Sequence, residues 1–165
     1  MRRAAAVLST VAMMAFAVSV FAQAPNFTGK WAPDADKNPA PAANAGGGGG
    51  GARGGRGGGG GGPFEVKQDA TTLTQIRDTQ NGPQETKYTL DGQAHDVTMG
   101  QGTAKVTAKV DGSTIVIDTT RDMGGNSVTT HAVWSMDGAD LKIATTSPGR
   151  NGGEPTTRTT YYKKG

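Results

Sequence analysis

At 165 residues the chain has the length of one domain. It has no cysteine, which excludes disulfides, thiol catalysis, cysteine-ligated metals and a lipidated-cysteine anchor. The formal charge of +3 falls close to zero if Arg2 and Arg3 leave with a leader, since 15 basic and 14 acidic side chains remain. That balance gives no electrostatic case for binding nucleic acid.

The first segment reads as a secretory signal. Arg2 and Arg3 form a positive start, and residues 4–22 are apolar apart from Ser9, Thr10 and Ser19. Ala22-Gln23-Ala24 has the A-x-A cleavage form but would leave Pro25 next to the cut. Val20-Phe21-Ala22 avoids that neighbour, so cleavage after Ala22 is the expectation. The alternative, an uncleaved membrane anchor, rests on the length of the run. Its alanine content and small-residue end favour removal, hence a periplasmic or secreted protein with no stable membrane insertion after cleavage.

A first strand is expected over residues 27–31, with Phe27, Gly29 and Trp31 on one face. Residues 32–62 are rich in Pro, Ala and Gly. Nothing in them can bury enough apolar area to offset ordering entropy, so a disordered insertion is expected there. The remaining residues, 63–165, are expected to complete the same single domain with residues 23–31.

From Phe64 onward the pattern is β throughout: Thr and Val abound, apolar residues alternate, and turn dipeptides recur. The expected strands cover residues 64–68, 71–78, 84–90, 95–99, 103–110, 113–118, 126–135, 140–146 and 156–163. In the segment 103–110, Ala104, Val106, Ala108 and Val110 form one face, and Thr103, Lys105, Thr107 and Lys109 the other. Such one-sided burial is typical of antiparallel sheets. Two-residue hairpins are expected at Asp91-Gly92, Asp111-Gly112 and Asp137-Gly138. They would pair Tyr88 with His95, Ala108 with Ile115, and Trp134 with Leu141. At Asn81-Gly82-Pro83 a three-residue loop pairing Ile76 with Tyr88 is preferred to a two-residue loop pairing Ile76 with Lys87. The fold class is therefore all-β, an antiparallel up-and-down meander of about 8–10 strands that closes into a barrel to remove its edges.

Gly29-Lys30-Trp31 on the first strand resembles the G-x-W signature of the calycins, the lipocalins and fatty-acid-binding proteins. The meander and the basic, Tyr-containing last strand, Arg158-Thr159-Thr160-Tyr161-Tyr162-Lys163, complete the resemblance. It implies a barrel that binds a small apolar or amphiphilic molecule, with Arg158 packing over Trp31. The glycine-rich segment occupies the slot where fatty-acid-binding proteins carry a helical lid. Their ligand-gripping Arg and Tyr sit two apart on the last strand, whereas Arg158 and Tyr161 are three apart and face opposite ways. Arg158 and Tyr162 are four apart and share a face.

The expected ligand-binding residues are Trp31, Tyr88, Trp134, Arg158 and Tyr162, with Ala104, Ala108 and Ala132 leaving room inside the barrel. Aromatic residues of this kind more often fill a core. His95 and His131 lack the spacing of a metal site, and the glycine runs lack the Lys and Ser/Thr of a phosphate loop. No cofactor is expected. A hydrolase would have to draw on His95 and scattered carboxylates such as Glu65, Glu85, Asp118, Asp122 and Glu154, which suit solvated strand faces and turns. The protein is thus read as non-catalytic. An envelope or extracellular interaction module without ligand is the alternative, its protein partner unspecified. Asn26-Phe27-Thr28 fits a glycosylation acceptor, a motif short enough to arise by chance.

Overall fold

The computed structural model describes residues 25–38, 61–100, 102–149 and 153–165. The expected leader, the cleavage site and most of the glycine-rich segment lie outside the described residues. Ten strands follow one another: β1 (Gly29–Pro33), β2 (Phe64–Gln68), β3 (Thr72–Thr79), β4 (Gly82–Thr89), β5 (Asp91–Met99), β6 (Gly102–Asp111), β7 (Thr114–Met123), β8 (Asn126–Asp137), β9 (Asp140–Ser147) and β10 (Thr156–Lys164). They form one antiparallel sheet in the order β4-β3-β2-β1-β10-β9-β8-β7-β6-β5. This is the expected all-β meander, nearly closed into a barrel. No helix among the described residues is long and apolar enough to cross a membrane, which says nothing of strands.

Closure depends on β1, which pairs with β2 on one side and β10 on the other. Trp31 lies opposite both Phe64 and Lys164. Its indole N–H donates to the Phe27 carbonyl over 2.8 Å. Gln68 fastens the entering chain, its amide accepting from the Phe27 N–H at 2.9 Å and donating to the Pro25 carbonyl. Phe27, Val66, Leu73, Ile115 and Leu141 have no exposed surface. Phe64 sits edge-on to Tyr162 and Trp134, with centroids 4.8 and 5.9 Å away, and Phe27 lies 6.2 Å from Trp134. These aromatics fill one part of the interior.

The chain stays ordered beyond Trp31, where a loop is expected. β1 runs to Pro33, and residues 34–38 dock on β10. The Asp34 N–H donates to the Tyr161 carbonyl, and the Asn38 side chain both donates to that carbonyl and accepts from the Tyr161 N–H. The Asn38 amide thus imitates a strand's pair of backbone groups. Buried Asp34 accepts from the N–H groups of Asp36 and Lys37 and meets the Lys163 ammonium at 3.0 Å. Local polar chemistry orders these residues where apolar burial could not.

The hairpin registers differ from expectation. In the β6–β7 and β8–β9 turns, glycine takes the first central position, at φ +58° for Gly112 and +65° for Gly138. Each Asp becomes the last strand residue instead: Asp111 pairs with Thr114, and Asp137 with Asp140. Ala108 therefore faces Ile117, and Trp134 faces Ile143. The slip is two residues, so every side chain keeps its face. Between β3 and β4 the turn is Gln80-Asn81, not a three-residue loop, and the Thr79 hydroxyl bridges it to the Gly82 carbonyl and the Asn81 N–H. Ile76 then faces Glu85 on the outside, and Tyr88 pairs with Leu73.

Asp91-Gly92 makes no hairpin. The Leu90 N–H still bonds the Thr71 carbonyl beside β3, while the next residue, Asp91, pairs with Lys109 of β6. The chain changes neighbours within one peptide, so β4 and β5 diverge and no ladder joins them. Gly92, at φ +73°, falls in the bulge between Asp91 and Ala94.

Ile115→Ala should lower the unfolding free energy in urea by about 2–5 kcal/mol, against about 0.5 kcal/mol or less for Lys87→Ala at an exposed site. Burial pushes the Asp34 carboxyl up, but Lys163 and the N–H groups of Asp36 and Lys37 outweigh it and hold its pKa below the ordinary value. Asp34 therefore stabilises the fold above about pH 4, and that stabilisation fades as pH falls through the lower native pKa. Melting curves of Asp34→Asn should lie below wild type at pH 7 and converge with it in acid.

Candidate ligand-binding face of the barrel

Strand alternation assigns each side chain to the interior or the outside. Buried Leu73 and Gln75 put Arg77 on the inward register of β3. Ile115 and Ile117 do the same for Thr119 and Arg121 on β7, Trp134 for Ala132 and Thr130 on β8, and Leu141 and Ile143 for Thr145 on β9. The interior is therefore of two kinds. One part is apolar and aromatic. The other is lined by hydroxyls, amides and cations, and Thr119, Thr130, Thr145, Gln84 and Arg77 there remain partly solvent-reachable.

Four of the five expected site residues lie inside. Trp31, Tyr88, Trp134 and Tyr162 are 2, 7, 4 and 1 % exposed. Trp134 and Tyr162 belong to the aromatic cluster around Phe64. Arg158 is exposed, on the inward register opposite Thr145, and is not the cation over Trp31. That place belongs to Lys164, whose Nζ lies 6.0 Å from the ring centroid. The register puts Trp31 opposite the end of β10, six residues beyond Arg158. Ala104 and Ala108 are buried as expected, and Ala132 partly so.

Tyr88 has other neighbours. Burial pushes its phenol up to about 12, against the opposing pull of the nearby Arg77 and Arg121 charges. Arg77 stacks over the Phe64 ring at 4.7 Å, and the Arg121 guanidinium donates to Met99 Sδ at 2.9 Å. Sequence reading passed over both arginines, though two-residue counting from Leu73 and Ile115 would have placed them inward. Tyr88, Tyr162, Thr160 and Gln75 are at least nine-tenths buried, and among the described residues no buried side-chain nitrogen or oxygen is left without a hydrogen-bond partner.

The histidines pair with carboxylates. His131 Nδ1 meets Asp118 at 2.6 Å on the outer face, and His95 Nε2 lies 2.9 and 3.0 Å from the Asp91 oxygens. Glu65, Glu85, Asp118 and Asp122 all occupy outward positions. Among the described residues no three His, Asp or Glu converge as metal ligands. Two open grooves lie on the outer wall: one of about 260 Å³ beside Lys30, Glu65, Ile76 and Asp78, the other of about 480 Å³ beside Asp96, Lys105, Thr120 and Asp122.

No protein-family model matches the chain, and no curated protein matches it. Among solved structures it is similar to a "REP1-NXSQ fatty acid transporter", with 20 % identity over 62 % of this chain and 69 % of that one and a TM-score of 0.47. It is also similar to a "secretary abundant heat soluble (SAHS) protein" from Ramazzottius varieornatus, with 12 % identity over 62 % and 70 % and a TM-score of 0.48.

An absorbance titration should find one tyrosinate transition near pH 12 that Tyr88→Phe removes. A missing transition there in wild type would mean that the phenol is not buried as described.

Proposed function

We propose that the protein is an exported lipocalin-like barrel that binds one small amphiphilic molecule and does not transform it. The observation that carries this reading is the division of the inward face. An apolar, aromatic part adjoins a part lined by threonines, Gln75, Gln84, Tyr88 and arginines. A molecule with an oily and a polar end matches both. Thr119, Thr130, Thr145, Gln84 and Arg77 stay partly solvent-reachable on that wall, so their polar groups are open to a ligand without the cost of being buried unpaired. Export is supported by the charged and apolar start of the chain, residues 2–22. Absence of catalysis is supported by the outward placement of Glu65, Glu85, Asp118 and Asp122, the carboxylates a hydrolase would have to draw on.

Native mass spectrometry on protein from its own periplasm or medium, followed by organic extraction, tests the reading. A co-purifying small molecule released on denaturation is the expected result. A clean apo mass, together with no uptake of added amphiphiles, would move the assignment to an interaction module without ligand.

A further inference from the structure

The first described residues have the character of a separate arm. Residues 25–38 bond to the body of the barrel only through residues 64–165. The Phe27 N–H donates to the Gln68 side chain, the Lys30 carbonyl accepts from the Gly165 N–H at 2.8 Å, and Trp31 lies opposite Phe64 and Lys164. Asp34 and Asn38 bond the Tyr161 backbone. Asp34 and Asp36 each meet the Lys163 ammonium at 3.0 Å, and the Lys37 ammonium meets Asp140 at 2.7 Å. The arm also carries its own local shape. The Asn26 carboxamide accepts from the Thr28 N–H, the Phe27 carbonyl from the Trp31 indole, and the Asp34 carboxylate from the Asp36 N–H.

The place the arm fills is a slot with weak walls. β1 pairs with β2 and with β10 over three residues each, against seven for β10 with β9 and eight for β3 with β4. Elements with so few ladder bonds open first. With the arm away, β2 and β10 would each present an unpaired edge. The cluster of Phe64, Trp134 and Tyr162 would also lose buried Phe27 and Trp31 from its side. The slot is selective. Gly29 lies at φ +147°, and a Cβ there would stand 3.0 Å from Lys164 Cε, so glycine fits best at that point. An arriving strand then needs an indole two residues on and carboxylates further along for Lys163. The residues that have this pattern are 25–38 of another copy.

We propose that the slot between β2 and β10 takes the arm of a second copy of this chain, so that two chains complete each other's barrels by exchanging residues 25–38. Every contact of the arm survives the exchange, because the same side chains meet whichever chain supplies them. A reciprocal pair closes on itself with two-fold symmetry and leaves no edge free at the slot. Residues 39–60 join the arm to Gly61, and a chain of that length spans roughly 70 Å when fully extended. That reach suffices for a neighbouring barrel. The same connection holds the arm beside its own slot at about millimolar effective concentration. Exchange therefore becomes extensive when chains open at comparable concentration, and dilution returns each arm to its own barrel.

Cross-linking of full-length single-cysteine variants tests this, since the chain has no cysteine of its own. Lys30 on the arm lies opposite Glu65 of β2 on the outer face. Facing residues of an antiparallel pair sit within disulfide range. Lys30→Cys and Glu65→Cys proteins are mixed, unfolded in urea, refolded together at about millimolar concentration and oxidised with diamide. The mixture should yield a dimer linked between the two substituted sites, identified by mass. It should exceed by about tenfold or more the product of Lys30→Cys with Lys87→Cys, whose site on β4 is away from the slot. Diluting the refolding mixture should lower the yield. A chain carrying both Lys30→Cys and Glu65→Cys, oxidised while dilute, should refold as a monomer at every concentration and form the pair again on reduction, with melting curves to confirm that it folds. No link between Lys30→Cys and Glu65→Cys chains, or equal linking of the Lys87→Cys control, would overturn the exchange. So would a dimer that light scattering detects in the oxidised double variant, because its contact would then lie on another face.

Discussion

Everything in this fold depends on β1, five residues long, lying between β2 and β10. A ten-strand meander without that bridge would expose a second pair of unpaired edges, and the aromatic cluster would lose one wall. Trp31 makes the bridge hold. Its ring packs inside, its N–H is satisfied by Phe27, and the Lys164 ammonium lies over it from the last strand. Gln68 and the Asp34–Asn38 turn then fasten the chain at both ends of β1. A five-residue strand has few ladder bonds of its own, so these side-chain clamps replace the backbone pairing that a longer strand would supply.

The slit between β4 and β5 is the second consequence of local geometry. It arises because the bulge at Asp91–Ala94 turns β5 toward β6 while Leu90 stays bonded beside β3. The bulge is held by the Asp91 carboxylate, which accepts from the Gln93 N–H and meets His95. Those hydrogen bonds, led by the one from Gln93, keep the Asp91 pKa below its ordinary value. An edge inside a nearly closed wall is a place where polar groups can approach without pairing to each other. Gln84 reaching toward Gly100 shows how close the two sides come.

The sorting of cations gives the interior its character. Most lysines keep their strongly hydrated ammonium outside, Lys164 over Trp31 being the exception, while the broad, more weakly hydrated guanidinium tolerates partial burial and stacks on rings. Arg77 over Phe64 is an instance, at 4.7 Å. The outward pair of Lys105 and Asp96 is exposed and contributes little to stability. The inward arginines share their wall with hydroxyls, amides, Lys164 and His95, the last bonded to the Asp91 carboxylate.

The all-β class, about ten strands and the face of most side chains were legible in the chain alone, because a period of two is local and survives a register slip of two residues. That is why Ala108 and Trp134 lie on the expected faces although their partners are Ile117 and Ile143, whereas the odd slip at β3–β4 turned Ile76 outward, away from Tyr88. The chain alone also located four inward aromatics correctly. Tertiary structure decided the rest. Whether Asp91-Gly92 closes a hairpin or opens a slit depends on which neighbour captures the chain, and β3 and β6 made that choice. Lys164, not Arg158, covers Trp31 because barrel stagger, a property of all ten strands together, sets which residues of β10 meet β1. That the charges of Arg77 and Arg121 both act on Tyr88 was invisible for the same reason: they sit on β3, β7 and β4, and only the curvature of the nearly closed wall brings those three strands to face one interior.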